Sequence, residues 1–149
     1  MGASDDLYQQ VILDHNRRPR NFRPMATPTH VCPGRNPLCG DHVNIYLEVR
    51  GERIEDVSFE GSGCAISKAS SSMMTEAVKG KTVAEARQLF SEFRAMLMGE
   101  LDTGRVPHGL GKLTIFKGVR EYSSRIKCAG LAWHALVGAL DSQKQISTE

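Results

Sequence analysis

The sequence predicts one α+β domain, a small three-stranded antiparallel sheet packed against about five helices. Three observations point there. Residues 43–50 alternate apolar and polar, the signature of a half-buried strand, and Gly51-Glu52 then supplies a hairpin turn into a return strand. Every stretch with apolar residues at helical spacing lies outside this strand region, so strands and helices are segregated rather than alternating. The chain has 149 residues, 40% of them hydrophobic, which fits a single core spanning 1–149, with no internal repeat and no low-complexity segment.

Residues 4–16 read as a first helix on Leu7, Val11, Ile12 and His15, with Ser4 as cap, Asp5 and Asp6 at the positive end of the dipole, and Pro19 as terminator. The basic stretch 17–23 that follows reads as a solvated exit loop or as a docking surface for an acidic protein partner. Pro24, Pro28, Pro33 and Pro37 leave room for only a short edge strand near His30–Cys32. Val43, Ile45, Leu47 and Val49 form the buried face of the next strand. In the return strand Ile54 is out of phase with Val57 and Phe59, which predicts a bulge near Glu55-Asp56. Gly61-Ser62-Gly63 leads into a helix over 65–79, with Ile66, Ala69, Met73, Ala77 and Val78 inward and Gly80 at its end. Thr82 and Glu85 form a capping box for a helix carrying Val83, Ala86, Leu89, Phe90, Phe93 and Leu97, closed by Gly99. Residues 99–111 read as loop and 112–119 as a short helix. A last helix over 124–141 buries Ile126, Ala129, Trp133, Leu136, Val137 and Leu140.

Lys and Arg number 19 against 17 Asp and Glu, a net charge of +2, too even a balance to imply nucleic acid or a membrane surface. No apolar run approaches the roughly 20 residues of a membrane span. The opening MGASDDLYQQ lacks the basic and apolar regions of a secretory signal, so a cytoplasmic location is expected. In a reduced compartment four cysteines suggest metal or thiol chemistry rather than disulfides. No nucleophile elbow, phosphate loop or zinc-deaminase pair is present.

Cys39 lies on a loop just before a strand, with Asp41 two residues on. Cys64 follows a strand at a helix N-terminus, and Cys128 falls in the first turns of the last helix. Three thiolates and a carboxylate make a tetrahedral donor set suited to zinc, and a helix N-terminus favours the thiolate of Cys64. Without a CxxC pair, the spacing alone leaves a metal site and scattered core thiols both open. Cys32 reads as an inert thiol, His42 as a solvent-facing strand residue, His108 and His134 as structural, and Ser70-Ser71-Ser72 as close helix packing.

Three motifs carry a resemblance. Asn36-Pro37-x-Cys39-Gly40-Asp41, Gly61-x-Gly63-Cys64-x-Ile66-Ser67-x-Ala69-Ser70 and Arg125-Ile126-Lys127-Cys128-Ala129-x-Leu131-x-Trp133, in that order, resemble the SufU branch of the IscU/NifU-like iron–sulfur cluster assembly proteins. Ile12-x-Asp14-His15-x-x-x-Pro19-Arg20-Asn21 is similar to the family's first helix, and the likeness runs from about residue 5 to 141. It implies the fold already read. It also implies metal ligation by Cys39, Asp41, Cys64 and Cys128, with zinc as the ion; Arg125 reads either as support for the site, pairing with Asp41 or orienting the loop, or as a surface salt bridge. The implied partners are a pyridoxal-phosphate-dependent cysteine desulfurase and, downstream, iron–sulfur scaffold proteins. Sulfur would pass from the desulfurase persulfide to Cys39, a sulfurtransferase activity. Scaffold-type members carry His just before the last cysteine. Here that position is Lys127, and a longer insertion precedes Arg125, so transfer is expected over the alternative, a scaffold or carrier holding a [2Fe–2S] cluster.

Overall fold

The computed structural model describes residues 3–121, 123–142 and 144–148. The side chains of residues 3–8, 120, 121 and 123 lie outside that description, so the capping expected of Ser4, Asp5 and Asp6 and the burial expected of Leu7 fall outside the described residues. The elements run α1 (Ala3–Arg17), β1 (His30–Asn36), β2 (Asp41–Arg50), β3 (Arg53–Ser62), α2 (Ala65–Val78), α3 (Val83–Leu97), a 3₁₀ segment (Gly111–Glu121), α4 (Ser123–Leu140) and β4 (Ile146–Ser147).

The sheet corrects the expectation of three antiparallel strands. It has four, in the order β3-β2-β1-β4, and β4 runs parallel to β1. Ile146 lies opposite Gly34, where a Cβ would press on Ile146, Ala135 and Leu131, so the bare glycine leaves the space the last strand fills. β1 is also longer than expected, and its pairing with β2 runs unbroken from His30 opposite Leu47 to Asn36 opposite Asp41. Pro33 is tolerated because β4 reaches only Gly34 and Arg35, which leaves β1 close to an edge strand.

The rest of the sheet follows its pattern. Val43, Ile45 and Leu47 are buried, facing the helices, with Val49 half-buried beyond them. Gly51 takes a positive φ of 61° in the hairpin. Glu48 pairs with Asp56 and Val49 with Ile54, so Glu55 is the extra residue of a bulge, and Ile54, Val57 and Phe59 can all be buried despite their phase.

α4 packs on β1 and β2 and α2 on β3, while α1 and α4 both lie against α2. α3 and the 3₁₀ segment close the other side of α4, where Trp133 stacks on Phe93 at 4.6 Å and Phe116 meets Phe93 edge-on at 5.7 Å. α2 is buried on more than its predicted stripe. Ser67, Ser70, Ser71, Ser72 and Thr75 are inside as well, because small hydroxyls satisfy themselves locally and let neighbouring helices approach. Ser70 donates to Ala129 O on α4 at 2.6 Å, which fastens α2 to α4 near the end of the sheet where β1 stops and β2 begins.

Candidate metal centre

The loop between β1 and β2 is set by Asn36. Its side chain is buried, its Oδ1 accepts the Leu38 N–H at 3.2 Å, and its backbone O accepts the N–H groups of Gly40 at 2.9 Å and Cys39 at 3.3 Å. This is an Asx turn, continued by Gly40 at a φ of 74°. The turn leaves Cys39 exposed beside Leu38, whose side chain is 75% exposed, and delivers Asp41 buried at the first residue of β2.

The end of β3 approaches from the other side. Gly63 has a φ of 154°, and a Cβ there would collide with the Asp41 carboxylate. Glycine is therefore what lets the chain pass close enough for Asp41 Oδ1 to accept the Cys64 N–H at 2.8 Å. Cys64 is the N-cap of α2, its sulfur accepting the Ser67 N–H at 3.4 Å. Cys128 comes up from α4 and is buried.

These residues converge on one point. The Cys39 thiol reaches Asp41 Oδ2 at 3.0 Å and Cys128 Sγ at 3.5 Å, and the Cys64 thiol reaches Asp41 Oδ2 at 3.7 Å. The ligand atoms of Cys39, Asp41 and Cys128 all lie within 4.8 Å of one another, and Cys64, outside that group, shares the same carboxylate oxygen. Sulfurs about 2.3 Å from a tetrahedral zinc ion stand about 3.8 Å apart, so the 3.5 Å between Cys39 and Cys128 suits one edge of a coordination tetrahedron, which an inward shift of Cys64 would complete. The donor set fits zinc: three soft sulfurs and one carboxylate, drawn from four elements.

The electrostatics show thiols crowded around a charge. Burial would raise the Asp41 carboxyl, but hydrogen bonds from the Cys39 thiol, the Cys64 N–H and the Cys128 and Cys64 thiols outweigh it and hold the group below the usual carboxylate range. Burial first, then contact with Asp41, Cys39 and Cys64, pushes the Cys128 thiol far up. A buried thiol held protonated in this way is one that a cation would deprotonate and bind. Arg125 is exposed, with its guanidinium set against Cys64 and then Cys128, and their sulfurs hold it more firmly protonated. It meets these two thiols rather than Asp41.

The remaining candidates fall where the sequence reading left them. Cys32 is fully buried, its thiol donating to Pro33 O at 3.5 Å and raised by desolvation. His42 is exposed, 3.3 Å from Ser62 Oγ. His108 Nδ1 accepts the Leu110 N–H and its Nε2 donates to Thr103 O, a loop brace. His134 packs edge-on against Phe90. The basic stretch is largely paired within the molecule: Arg20 with Asp14 at 2.7 Å, Arg23 with Asp56 at 2.9 Å, and Arg18 with Asp14 at 3.5 Å. The sequence reading missed the work of Asn36 and Gly63. The Asn-Pro dipeptide that opens the loop was the available signal for Asn36.

This fold and this cluster define a class, the small α+β domains of iron–sulfur cluster assembly. The chain belongs to the IscU/NifU-like family: the model for the NifU-like N-terminal domain matches residues 7–129. It is 41% identical over 132 residues to the zinc-dependent sulfurtransferase SufU of Bacillus subtilis (strain 168), covering 89% of this chain and 88% of that protein. It is 40% identical over 134 residues to the iron–sulfur cluster assembly scaffold protein IscU of Streptococcus pyogenes serotype M1, covering 90% and 82%. Among solved structures, SufU of Fervidobacterium islandicum AW-1 superposes with a TM-score of 0.83 at 35% identity over 93% of this chain and 99% of that one. The N-terminal part of a NifU-like protein from Brucella abortus gives 0.83 at 29% identity over 93% and 94%.

Proposed function

We propose that the protein is a zinc-dependent sulfur acceptor that takes persulfide sulfur from a pyridoxal-phosphate-dependent cysteine desulfurase for iron–sulfur cluster assembly. One observation carries this reading: the ligand atoms of Cys39, Asp41 and Cys128 lie within 4.8 Å of one another with the Cys64 thiol 3.7 Å from the same carboxylate, and of the three thiols only Cys39 is exposed. Cys39, Asp41, Cys64 and Cys128 would hold the ion, which would supply a Lewis acid that keeps thiols deprotonated at neutral pH. Cys64 and Cys128, capped and buried, serve as anchors. Cys39, on a loop with a glycine behind it, is the thiol a protein partner can reach. Its thiolate attacks the outer sulfur of the desulfurase persulfide; the S–S bond of the persulfide breaks, the desulfurase thiolate leaves, and Cys39 carries the new persulfide. Leu38, exposed one residue before Cys39, offers an apolar foothold beside the thiol. The exposed Arg125 holds positive charge next to the thiolates.

Names among the relatives favour a second reading, a scaffold or carrier for a [2Fe–2S] cluster. Lys127 weighs against it, since a lysine side chain is a hydrogen-bond donor without the acceptor nitrogen that an imidazole offers to cluster iron. Anaerobic reconstitution separates the two, because a scaffold retains a stable brown chromophore after desalting and a sulfur acceptor does not.

The acceptor assignment is tested with Cys39→Ala. The variant keeps the wild-type circular dichroism spectrum and fails to raise the turnover of a cysteine desulfurase that the wild type stimulates. Full stimulation by Cys39→Ala ends the assignment.

A further inference from the structure

We propose that Cys39 and Cys128 form a reversible disulfide under oxidation, which makes the centre a thiol switch that releases its metal when the link closes. The observation is a sulfur–sulfur contact at the exposed edge of the cluster. Cys39 Sγ lies 3.5 Å from Cys128 Sγ, and Cys64 stands outside the group that holds them both. Cys39 is the exposed partner and the one an oxidant meets first, whereas Cys128 is buried behind it and cannot be attacked directly. The pair therefore has the arrangement of a peroxidatic and a resolving thiol.

The geometry also says which pair closes and how. Bringing two sulfurs from contact to a bond of about 2.05 Å needs a shift of about 1.5 Å. The Cys39 side supplies it, since the loop tip is exposed at Leu38 and Gly40 has open space around its α-carbon. Cys64 is the poorer partner. Its sulfur caps α2 through the Ser67 N–H and its own N–H is pinned by Asp41, so moving it toward Cys39 breaks a helix cap as well as the link to the carboxylate. Cys32 has no route out of the core.

The chemistry balances with a peroxide as the oxidant. The Cys39 thiolate attacks hydrogen peroxide, the O–O bond breaks, and Cys39 becomes a sulfenic acid while the departing oxygen leaves as water. The Cys128 thiol then attacks the sulfenic sulfur, the S–O bond breaks, and the leaving hydroxyl takes the Cys128 proton and departs as a second water. Two thiols are oxidised and one peroxide is reduced. Both joined sulfurs are donors of the proposed zinc site. Their loss leaves Asp41 and Cys64, too few to hold the ion. This second half of the proposal rests on the zinc reading above, and the cross-link itself does not.

Each cysteine falls on its own tryptic peptide, 21–35, 36–50, 54–68 and 128–144, so the pairing can be mapped directly. Metal-free protein, reduced and freed of reductant, is treated with equimolar hydrogen peroxide, digested and analysed by mass spectrometry. The expected product joins peptide 36–50 to peptide 128–144, reverts with dithiothreitol, and still forms in Cys64→Ser. A dominant link from 36–50 to 54–68, loss of the link in Cys64→Ser, or Cys39 carried to the sulfinic acid with no link overturns the proposal. Zinc-loaded protein is then treated alongside a chromogenic chelator. About one zinc is released per cross-link formed, and zinc retained by cross-linked protein overturns the coupling. A protein that forms the link but never bound zinc would instead contradict the functional reading and leave the disulfide standing.

Discussion

Two of the polar clusters among the described residues are built on opposite principles. At the seam of α1 and α2 the buried His15 Nδ1 meets Ser72 Oγ at 2.7 Å, the Arg20 N–H donates to the same oxygen at 2.8 Å, and Asn21 Nδ2 donates to Thr75 Oγ1 at 3.0 Å. Each group there has a partner of matching kind: a donor meets an acceptor, and the hydroxyl proton of Ser72 is left for the imidazole. At the Asp41 cluster three weak thiol donors crowd one carboxylate, and two of the thiols touch each other. The seam is complete as it stands. On the proposed zinc reading, the cluster reaches comparable satisfaction when the thiols give up their protons to a shared cation. Burial of polar groups does not by itself mark a functional site; soft donors converging on one point, with one member exposed, do.

The largest expected effect comes from breaking the cluster where it is tightest. Gly63→Ala places a methyl against the Asp41 carboxylate at a φ of 154°, so Asp41 is displaced and the Cys64 N–H loses its acceptor. Zinc affinity falls on the order of 10–100-fold or more, as for other groups that orient metal ligands, measured by competition with a chelator. The equivalent break in the seam is Ser72→Ala, which takes the partner from the Arg20 N–H and from His15 Nδ1. It costs about 1–3 kcal/mol in urea unfolding with zinc affinity unchanged. A loss of zinc binding in Ser72→Ala would mean that the two clusters are not independent.

A smaller effect separates them by pH. Burial, then the Arg20 charge, lowers the His15 pKa, with Lys112 acting the same way and Glu76 and Asp14 opposing. Burial and Arg94 lower His134 likewise. With folded values below the usual 6.5, the unfolded chain takes up more protons as pH falls through that value, so both histidines withdraw stability on acidification. The stabilised carboxylates Asp14, Asp41 and Asp56 lose theirs only at lower pH. The urea midpoint of metal-free protein therefore declines from pH 7 to about 5.5, and His15→Gln flattens part of that slope. An unchanged slope would place the titration elsewhere.

Much of this was legible in the chain. The alternation of Val43, Ile45 and Leu47, the capping box at Thr82 and the bulge at Glu55 are local signals, and each led to the right element. What was not legible depends on partners distant in sequence. β4 is a two-residue strand with no pattern of its own, made by the notch at Gly34. The length of β1 was hidden by Pro33, because whether a proline breaks a strand depends on what lies beyond it. The all-round burial of α2 is decided by α1 and α4 rather than by its own stripe. At the site, the four candidate donors came from family motifs and not from spacing, since the chain positions 39, 41, 64 and 128 say nothing about proximity until the sheet and α4 are folded. Gly63 was visible only in the lead into α2 and as part of a motif, and its close approach to Asp41 appears in three dimensions alone.

The most direct test of the central claim is X-ray absorption at the zinc edge of the purified protein, with metal content measured on the same sample. The account predicts close to one zinc per chain, with three sulfurs at about 2.3 Å and one oxygen at about 2.0 Å, and one sulfur fewer in Cys39→Ala. A first shell dominated by nitrogen and oxygen, or a sulfur count that Cys39→Ala leaves unchanged, would contradict it.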